Sequence, residues 1–228
     1  SRDSLIPLSK TNVPNLSLKD LHFRASLQLT TNIIKSESFA GLYTEYLNQR
    51  IISIAKDVAN DKKWRNNFFI AAMGSYGSSE LSFASDIDLV FVVQEIRKYS
   101  SIQKDIQRLL LNLKENLPGL EIDCRLRPEG KNSQLVWDIE DYKKYFTNRA
   151  RIWELQAFTK CRFVFGNDTL FNDFYNHHQK ISKDNDFKLV KSEMIEMRKK
   201  LLPVNDDSVN IKKSSGCLYD IDFIKSFI

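Results

Sequence analysis

The sequence predicts an α/β chain, a small sheet flanked by many helices, and three observations carry that expectation. "NNFFIAAMGSYG" (66–77) holds an apolar run that stops at a glycine–serine turn, the pattern of a strand feeding a tight loop. "DIDLVFVV" (86–93) is apolar and β-branched enough to be a strand buried on both faces. Around these runs, apolar residues recur at helical spacing over most of the remaining chain.

Taken in order, residues 1–17 contain two prolines and several Ser and Asn, and read as an irregular arm. From Leu18 to about Ala59 the period is helical, with Leu21, Ala25 and Leu29 on one stripe and Leu47, Ile51, Ile54 and Val58 on another. A further helix is expected from about Ser101 to Asn116, with Ile102, Ile106, Leu109 and Leu113 inward, ending before Pro118-Gly119. "LEIDCRLRP" (120–128) alternates Leu120, Ile122, Cys124 and Leu126 against Glu121, Asp123, Arg125 and Arg127, which predicts a third strand. Residues 138–160 and 168–201 read as mainly helical, broken near Gly166-Asn167.

The 228 residues are 42% hydrophobic and 28% charged, which suits a packed core and excludes wholesale disorder. A formal charge of +5 permits an anionic partner, but Lys and Arg are spread along the chain, so a nucleic-acid groove is not indicated. Cys124, Cys161 and Cys217 lie far apart, without zinc spacing, and read as reduced thiols. With neither a leader-like segment nor a long apolar run, a soluble, cytoplasmic protein is expected, with no membrane partner. His177 and His178 are adjacent on a helix and read as surface residues. Trp64, Trp137 and Trp153 read as packing anchors, and Ser75 has no histidine partner for a hydrolase.

The chemistry concentrates in "GSYGSSELSFASDIDL" (74–89). Asp86 and Asp88, one residue apart on a strand, share a face, while Ile87 between them points to the core. Two carboxylates that close repel unless a cation lies between them, and oxygen-rich sites of this kind suit Mg²⁺ completed by substrate phosphates. If the third strand lies beside the second, Asp123 becomes a third carboxylate, able to help hold two ions or to act as base for an attacking hydroxyl. Arg125 and Arg127 would then turn positive charge toward phosphates. Gly74-Ser75 would let a phosphate approach the backbone closely.

These residues resemble a known family. "GSYGSSELSFASDIDLVFVV", "EIDCRLRPEGKNSQLV", "RIWELQAFTKCRFVFGN" and "EMIEMRKK…SGCLYDIDFI" stand in the order of the signature blocks of the bacterial glutamine synthetase adenylyltransferase/adenylyl-removing enzymes. Those enzymes belong to the DNA polymerase β-like nucleotidyltransferase superfamily. The resemblance covers roughly residues 18–228, and its RLRPEGK and WELQA blocks are more specific than the Gly-Ser and DxD portion. It implies a polymerase β-like nucleotidyltransferase sheet with helical N- and C-terminal segments. Residues 1–60 would be arm and scaffold, 61–165 the nucleotidyltransferase core, and 166–228 a helical C-terminal segment. The family continues into more helices where this chain stops, so a fragment or a short relative is implied.

The implied activity is Mg²⁺-dependent transfer of AMP from ATP to a tyrosine of glutamine synthetase, regulating nitrogen assimilation. The alternatives are phosphorolytic removal of that AMP and a non-catalytic regulatory module; a nitrogen-signalling protein is a further implied partner. Asp86, Asp88 and Asp123 match the metal-binding acids, while Gly74, Ser75, Ser85, Arg125, Arg127 and Lys131 fall on the nucleotide side. The sequence departs from the family pattern at Ser75, where a Lys is usual, and at Ser78-Ser79, where a Gly-Gly pair is usual. It departs again at Ser133-Gln134, where Gly-Pro is usual, and at Cys217 and Asp222, where Gly and Glu are usual. The lost glycines bear on loop geometry, and hence on rate.

Overall fold

A computed structural model of the chain describes residues 6–8, 13–183, 187–202, 210–211 and 213–225. Helices α1 (Leu18–Thr30) and α2 (Ser36–Ala59) come first, then β1 (Phe68–Met73), the one-turn α3 (Gly74–Gly77) and β2 (Ile87–Val93). They are followed by α4 (Ile102–Asn116), β3 (Ile122–Asp123), β4 (Val136–Asp138), α5 (Ile139–Asn148) and α6 (Ile152–Ala157). Last come β5 (Arg162–Gly166), α7 (Asp168–Lys183), α8 (Phe187–Lys200) and α9 (Leu218–Lys225). The α/β expectation is met by a five-stranded mixed sheet with helices on both faces.

β1 is the centre of that sheet. It pairs antiparallel with β2 from Phe68↔Val93 to Met73↔Asp88, and antiparallel with β5 on its other side. The free edge of β2 carries two short parallel partners: β3 at its entrance (Ile87↔Ile122, Asp88↔Asp123) and β4 at its exit (Phe91↔Val136 to Val93↔Asp138).

Side-chain alternation sorts the strands between two cores. Phe68, Ile70 and Ala72 of β1, with Ile87, Leu89 and Phe91 of β2, pack among Leu21, Leu47 and Ile51 of the first two helices and Ile106 of α4. Phe69, Ala71, Met73, Val90 and Val92 face Tyr142, Phe146, Phe158 and Phe174 of the later helices. The N-terminal helices therefore share an interior with the sheet. Asp88 has the parity of Val90 and Val92, so it lies on the face covered by the later helices.

The helical expectations over 18–59 and 101–116 match α1, α2 and α4, and Ile102, Ile106, Leu109 and Leu113 are all buried. The third strand is much shorter than its alternation predicts, two residues instead of about nine, because the backbone leaves the sheet edge after Asp123. β4 and β5 add strands that the periodicity did not single out. His178 is a correction: it is fully buried, its Nε2 donating to the Leu155 carbonyl at 2.8 Å, while burial pushes its pKa below the ordinary histidine value. His177 is half-buried against Thr147. All three cysteines are free thiols, and among the described residues no helix is long and apolar enough to cross a membrane.

One buried polar cluster pins α4 to the start of β1. Asp105 Oδ2 accepts from Trp64 Nε1 at 3.0 Å and Ser101 Oγ at 2.8 Å, and Oδ1 pairs with Lys62 at 2.9 Å. Burial pushes the Asp105 pKa up, but these donors outweigh it and hold the carboxyl below its ordinary value of 3.8. A depressed folded pKa adds stability that is complete above the unfolded value and is lost as the pH falls through the folded one. Asp105→Ala should cost about 2 kcal/mol at pH 7 by leaving the indole N–H and the ammonium without their acceptor. Asp105→Asn should flatten the stability profile below pH 3.8. Urea unfolding across pH 2.5–7, roughly spanning that titration, checks both; an unchanged acid limb would assign the cluster no share in it.

Candidate active site

Three segments meet where β1 ends, β2 begins and β3 lies beside it. Gly74 has φ +53, a left-handed conformation open to glycine at little cost. A Cβ there would stand 2.3 Å from Asp88 Oδ2, so the missing side chain is what lets the turn close over that carboxylate. Gly77 is constrained in the same way: its Cβ would meet the Lys160 carbonyl oxygen at 1.8 Å. Arg162 grips this turn, its Nε donating to the Gly77 carbonyl at 3.2 Å and its NH2 to the Tyr76 carbonyl at 3.0 Å.

Asp86 is exposed just before β2, Ile87 is fully buried and Asp88 is half-buried. Ser85 closes the preceding loop, its Oγ accepting from the Ser82 N–H at 2.9 Å and lying 3.0 Å from Ser82 Oγ. Asp123 stands opposite Asp88 in the parallel register. The sheet thus brings together the backbones that carry Asp86, Asp88 and Asp123.

Their side chains are not gathered as one ligand set. Among the described residues, no three His, Cys, Asp or Glu side chains form a group able to hold a metal ion. Asp123 is engaged instead by Arg125, whose backbone N–H reaches Oδ1 at 2.7 Å and whose Nε reaches Oδ2 at 2.7 Å, with NH2 on the same oxygen. Burial raises the Asp123 pKa, but the Arg125 bonds and charge outweigh it and hold the carboxyl below the usual carboxylate range. The donors nevertheless suit a hard divalent cation in kind, since all are carboxylate oxygens.

The two arginines expected to act alike do different work. Arg127 donates Nε to the Gln134 carbonyl at 3.0 Å, and NH2 to the Ser133 carbonyl at 3.1 Å and the Lys131 carbonyl at 3.3 Å. Its NH1 holds the Cys124 carbonyl. That guanidinium clamps the 124–134 loop and also lines a pocket beside Arg125. Lys131 is exposed on the same loop, and Ser75 sits within α3 with its carbonyl accepting from the Glu80 N–H at 2.9 Å.

Two cavities flank the acids. A cleft of about 560 Å³ runs from Gly74 and Ser78 past Lys160 to Tyr219, Asp222 and Phe223 of α9. A pocket of about 360 Å³ lies between Arg125, Tyr145 and Arg151 over a floor of Tyr142, Phe146 and Phe158. Leu126, Trp153 and Ala157 are walls of both. Trp153 therefore lines open space rather than filling a core. Lys160, which the residue patterns did not single out, follows WELQA within "RIWELQAFTKCRFVFGN"; the aromatic, glycine-stopped "RFVFG" after it was the available signal for β5.

A family model described as glutamate-ammonia ligase adenylyltransferase matches residues 37–177, which include every site residue above except those of α9. The chain belongs to that family. Relatives named bifunctional glutamine synthetase adenylyltransferase/adenylyl-removing enzyme include one from Shewanella frigidimarina, 32% identical over 71% of this chain and 19% of its own length. One from Alteromonas mediterranea is 34% identical over 74% of this chain and 19% of its own length. One from Neisseria meningitidis serogroup A is 27% identical over 99% of this chain and 25% of its own. The chain spans about a fifth to a quarter of the length of these relatives.

Set against the family pattern, Ser79 is informative, because it holds φ +59 where the resemblance supplies a glycine. The loop has kept the left-handed backbone and lost the residue that adopts it cheaply, at about 1–2 kcal/mol. Ser79→Gly should recover about 1 kcal/mol. Gly74→Ala should destabilise by a similar amount or more, since its Cβ also displaces Asp88. Thermal unfolding of both variants checks the pair; a Ser79→Gly protein less stable than the parent would contradict the strain assignment.

Proposed function

We propose that this chain carries a nucleotidyl-transfer site that moves AMP from ATP to a tyrosine hydroxyl of glutamine synthetase. The observation that supports it most is the parallel register that sets Asp123 beside Asp88, next to a turn whose glycine touches the Asp88 carboxylate, in a member of the glutamate-ammonia ligase adenylyltransferase family. The relatives' printed names join adenylyl transfer and adenylyl removal on glutamine synthetase. Removal of AMP by phosphate is therefore the second reading, and it uses the same residues.

Asp86, Asp88 and Asp123 would hold Mg²⁺, which supplies charge neutralisation at the α-phosphate and a more acidic attacking hydroxyl. The rest is positioning by this chain. Gly74 lets the backbone of the turn close against the Asp88 carboxylate, which a side chain there would displace. Asp123, ionised and held below the usual range by Arg125, is a weak base while that contact lasts. If Asp123 serves as base instead of as a metal ligand, departure of Arg125 would restore the basicity of Oδ2, which could then accept the proton of the incoming hydroxyl. The guanidinium so released stays at the rim of the pocket that Arg125 lines, next to the path of an anionic nucleotide. Trp153 and Leu126 separate the cleft from that pocket, so donor and acceptor can approach from opposite sides.

Incubation with Mg²⁺, glutamine synthetase and α-labelled ATP should place label on the synthetase. Asp88→Asn should lower that rate on the order of a thousandfold, the several kcal/mol that charge stabilisation of the transition state contributes, with little change in unfolding temperature. Label transfer that survives both Asp86→Asn and Asp88→Asn would refute the carboxylate assignment. If label moves only from adenylylated synthetase to added phosphate, giving ADP, the removing direction is the correct one.

A further inference from the structure

The cleft beside Gly74 has an electrostatic peculiarity. Of the residues that line it, Lys160 is the one base, set between two carboxylates: its Nζ lies 3.0 Å from Asp222 Oδ1 on α9 and 3.7 Å from Glu80 Oε2 in the loop after the turn. Its backbone is fixed against the turn itself, since the Lys160 carbonyl occupies the space a Gly77 side chain would take. The ammonium therefore has a defined position relative to Gly74 and Asp88, at the end of a four-carbon stem that can swing.

We propose that Lys160 is the cation that receives the β- and γ-phosphates of a nucleoside triphosphate in this cleft, and that Asp222 of α9 holds it in the interim. This inference rests on the nucleotidyl-transfer reading and extends it to a residue outside the carboxylate set.

Three considerations carry it. A triphosphate brings several negative charges, and carboxylates beside its α-phosphate would repel them unless cations stand at both ends. The other basic candidates are engaged or remote: Arg127 is spent on carbonyls, Arg125 sits on Asp123, and Lys131 lines neither cavity. Among the described basic residues, Lys160 alone lines the same cleft as Gly74, and it already balances two carboxylates there. Each of those carboxylates exchanges cheaply. Glu80 keeps the Ser78 hydroxyl, 2.9 Å away, and Asp222 belongs to the short helix α9, with its side chain 36% exposed at the cleft. Exchanging a carboxylate for phosphate keeps the ammonium paired throughout, so no bare buried charge arises on the way.

The assignment also gives α9 a function. Asp220 on the same helix is bound by Arg198 of α8 at 2.5 Å, so α8 and α9 are tied together by one ion pair and to the turn by the other. Loss of the Lys160–Asp222 contact when nucleotide enters would loosen α9 at the mouth of the cleft.

Calorimetric titration of ATP and of adenosine into the whole chain tests the proposal. Lys160→Gln should weaken ATP binding about tenfold to a hundredfold, the worth of one charge-assisted contact, and leave adenosine unchanged. Lys160→Arg should restore most of the ATP affinity, and Asp222→Asn should tighten it about threefold or more by removing the competitor. Unfolding temperatures measured alongside identify a variant that has lost its fold, and the Arg and Asn variants then carry the comparison. If Lys160→Gln weakens both ligands equally, or neither, or if Asp222→Asn weakens ATP binding, the pair is purely structural and the proposal falls. If the parent chain binds adenosine and ATP equally, phosphate recognition by Lys160 is refuted while a nucleoside site stands. If it binds neither, the nucleotidyl-transfer reading itself fails.

Discussion

The pairing of β3 with the entrance of β2 is only two residues long, yet it decides where the third carboxylate stands. Parallel strands put residues of equal register side by side, so Ile87↔Ile122 and Asp88↔Asp123 follow as one geometric fact: the isoleucines share one face of the sheet and the aspartates the other. A slip of one residue would carry Asp123 into the apolar layer and Ile122 out of it. The apolar partners resist that slip. Ile87 is fully buried, and Ile122 packs against the cluster that Leu47, Ile106 and Phe91 form. The placement of Asp123 beside Asp88 is thus held by hydrophobic burial on the opposite face, which is why so short a ladder suffices.

The same division of labour runs through the sheet. β1 is buried along its whole length and sends alternate side chains into two separate cores, so its position is fixed from both sides. The turn after it inherits that rigidity. Gly74 and Gly77 then allow two close approaches, by the Asp88 carboxylate and by the Lys160 backbone, that any side chain would forbid. Arg162 completes the grip by capping the carbonyls of Tyr76 and Gly77, which a single turn of helix leaves without intrahelical partners. Strand, turn and the beginning of β5 form one unit, and the site stands on it.

How much of this the sequence displays depends on how local the cause is. α4 is legible because its apolar stripe at 102, 106, 109 and 113 is a property of the helix alone. β2 is legible because a run buried on both faces can hardly be anything else at that length. The third strand misleads: the alternation through Arg127 continues after the backbone has left the ladder, and periodicity does not register the loss of a partner. Arg125 and Arg127 show the same limit at the level of function. They are equivalent in the alternation, yet one meets a carboxylate and the other a set of loop carbonyls that would otherwise lack donors. His178 reads as surface beside His177, and only the packing of α7 on α6 shows that one of the two is enclosed. Lys160 could not be placed, because its importance comes from a contact with the Gly77 turn that sequence distance conceals.

A site built to bind polyphosphate and metal faces a difficulty before either arrives, since its acids repel one another and its bases have no anion. Here the two problems answer each other. Arg125 neutralises Asp123, and Lys160 lies between Glu80 and Asp222, so the charges the reaction needs are stored as ion pairs. Such pairs, partly exposed, contribute little to stability, which makes them easy to exchange. On the proposed reading, a cation at the carboxylates would take the place of Arg125, and a phosphate at Lys160 would take the place of Asp222. Each exchange would keep the Lys160 ammonium and the Asp123 carboxylate paired with an opposite charge. The exchange would bring a guanidinium and an ammonium toward the polyphosphate and leave the carboxylates to the metal. On that reading the resting ion pairs hold the same inventory of charge as the working site, arranged one exchange earlier.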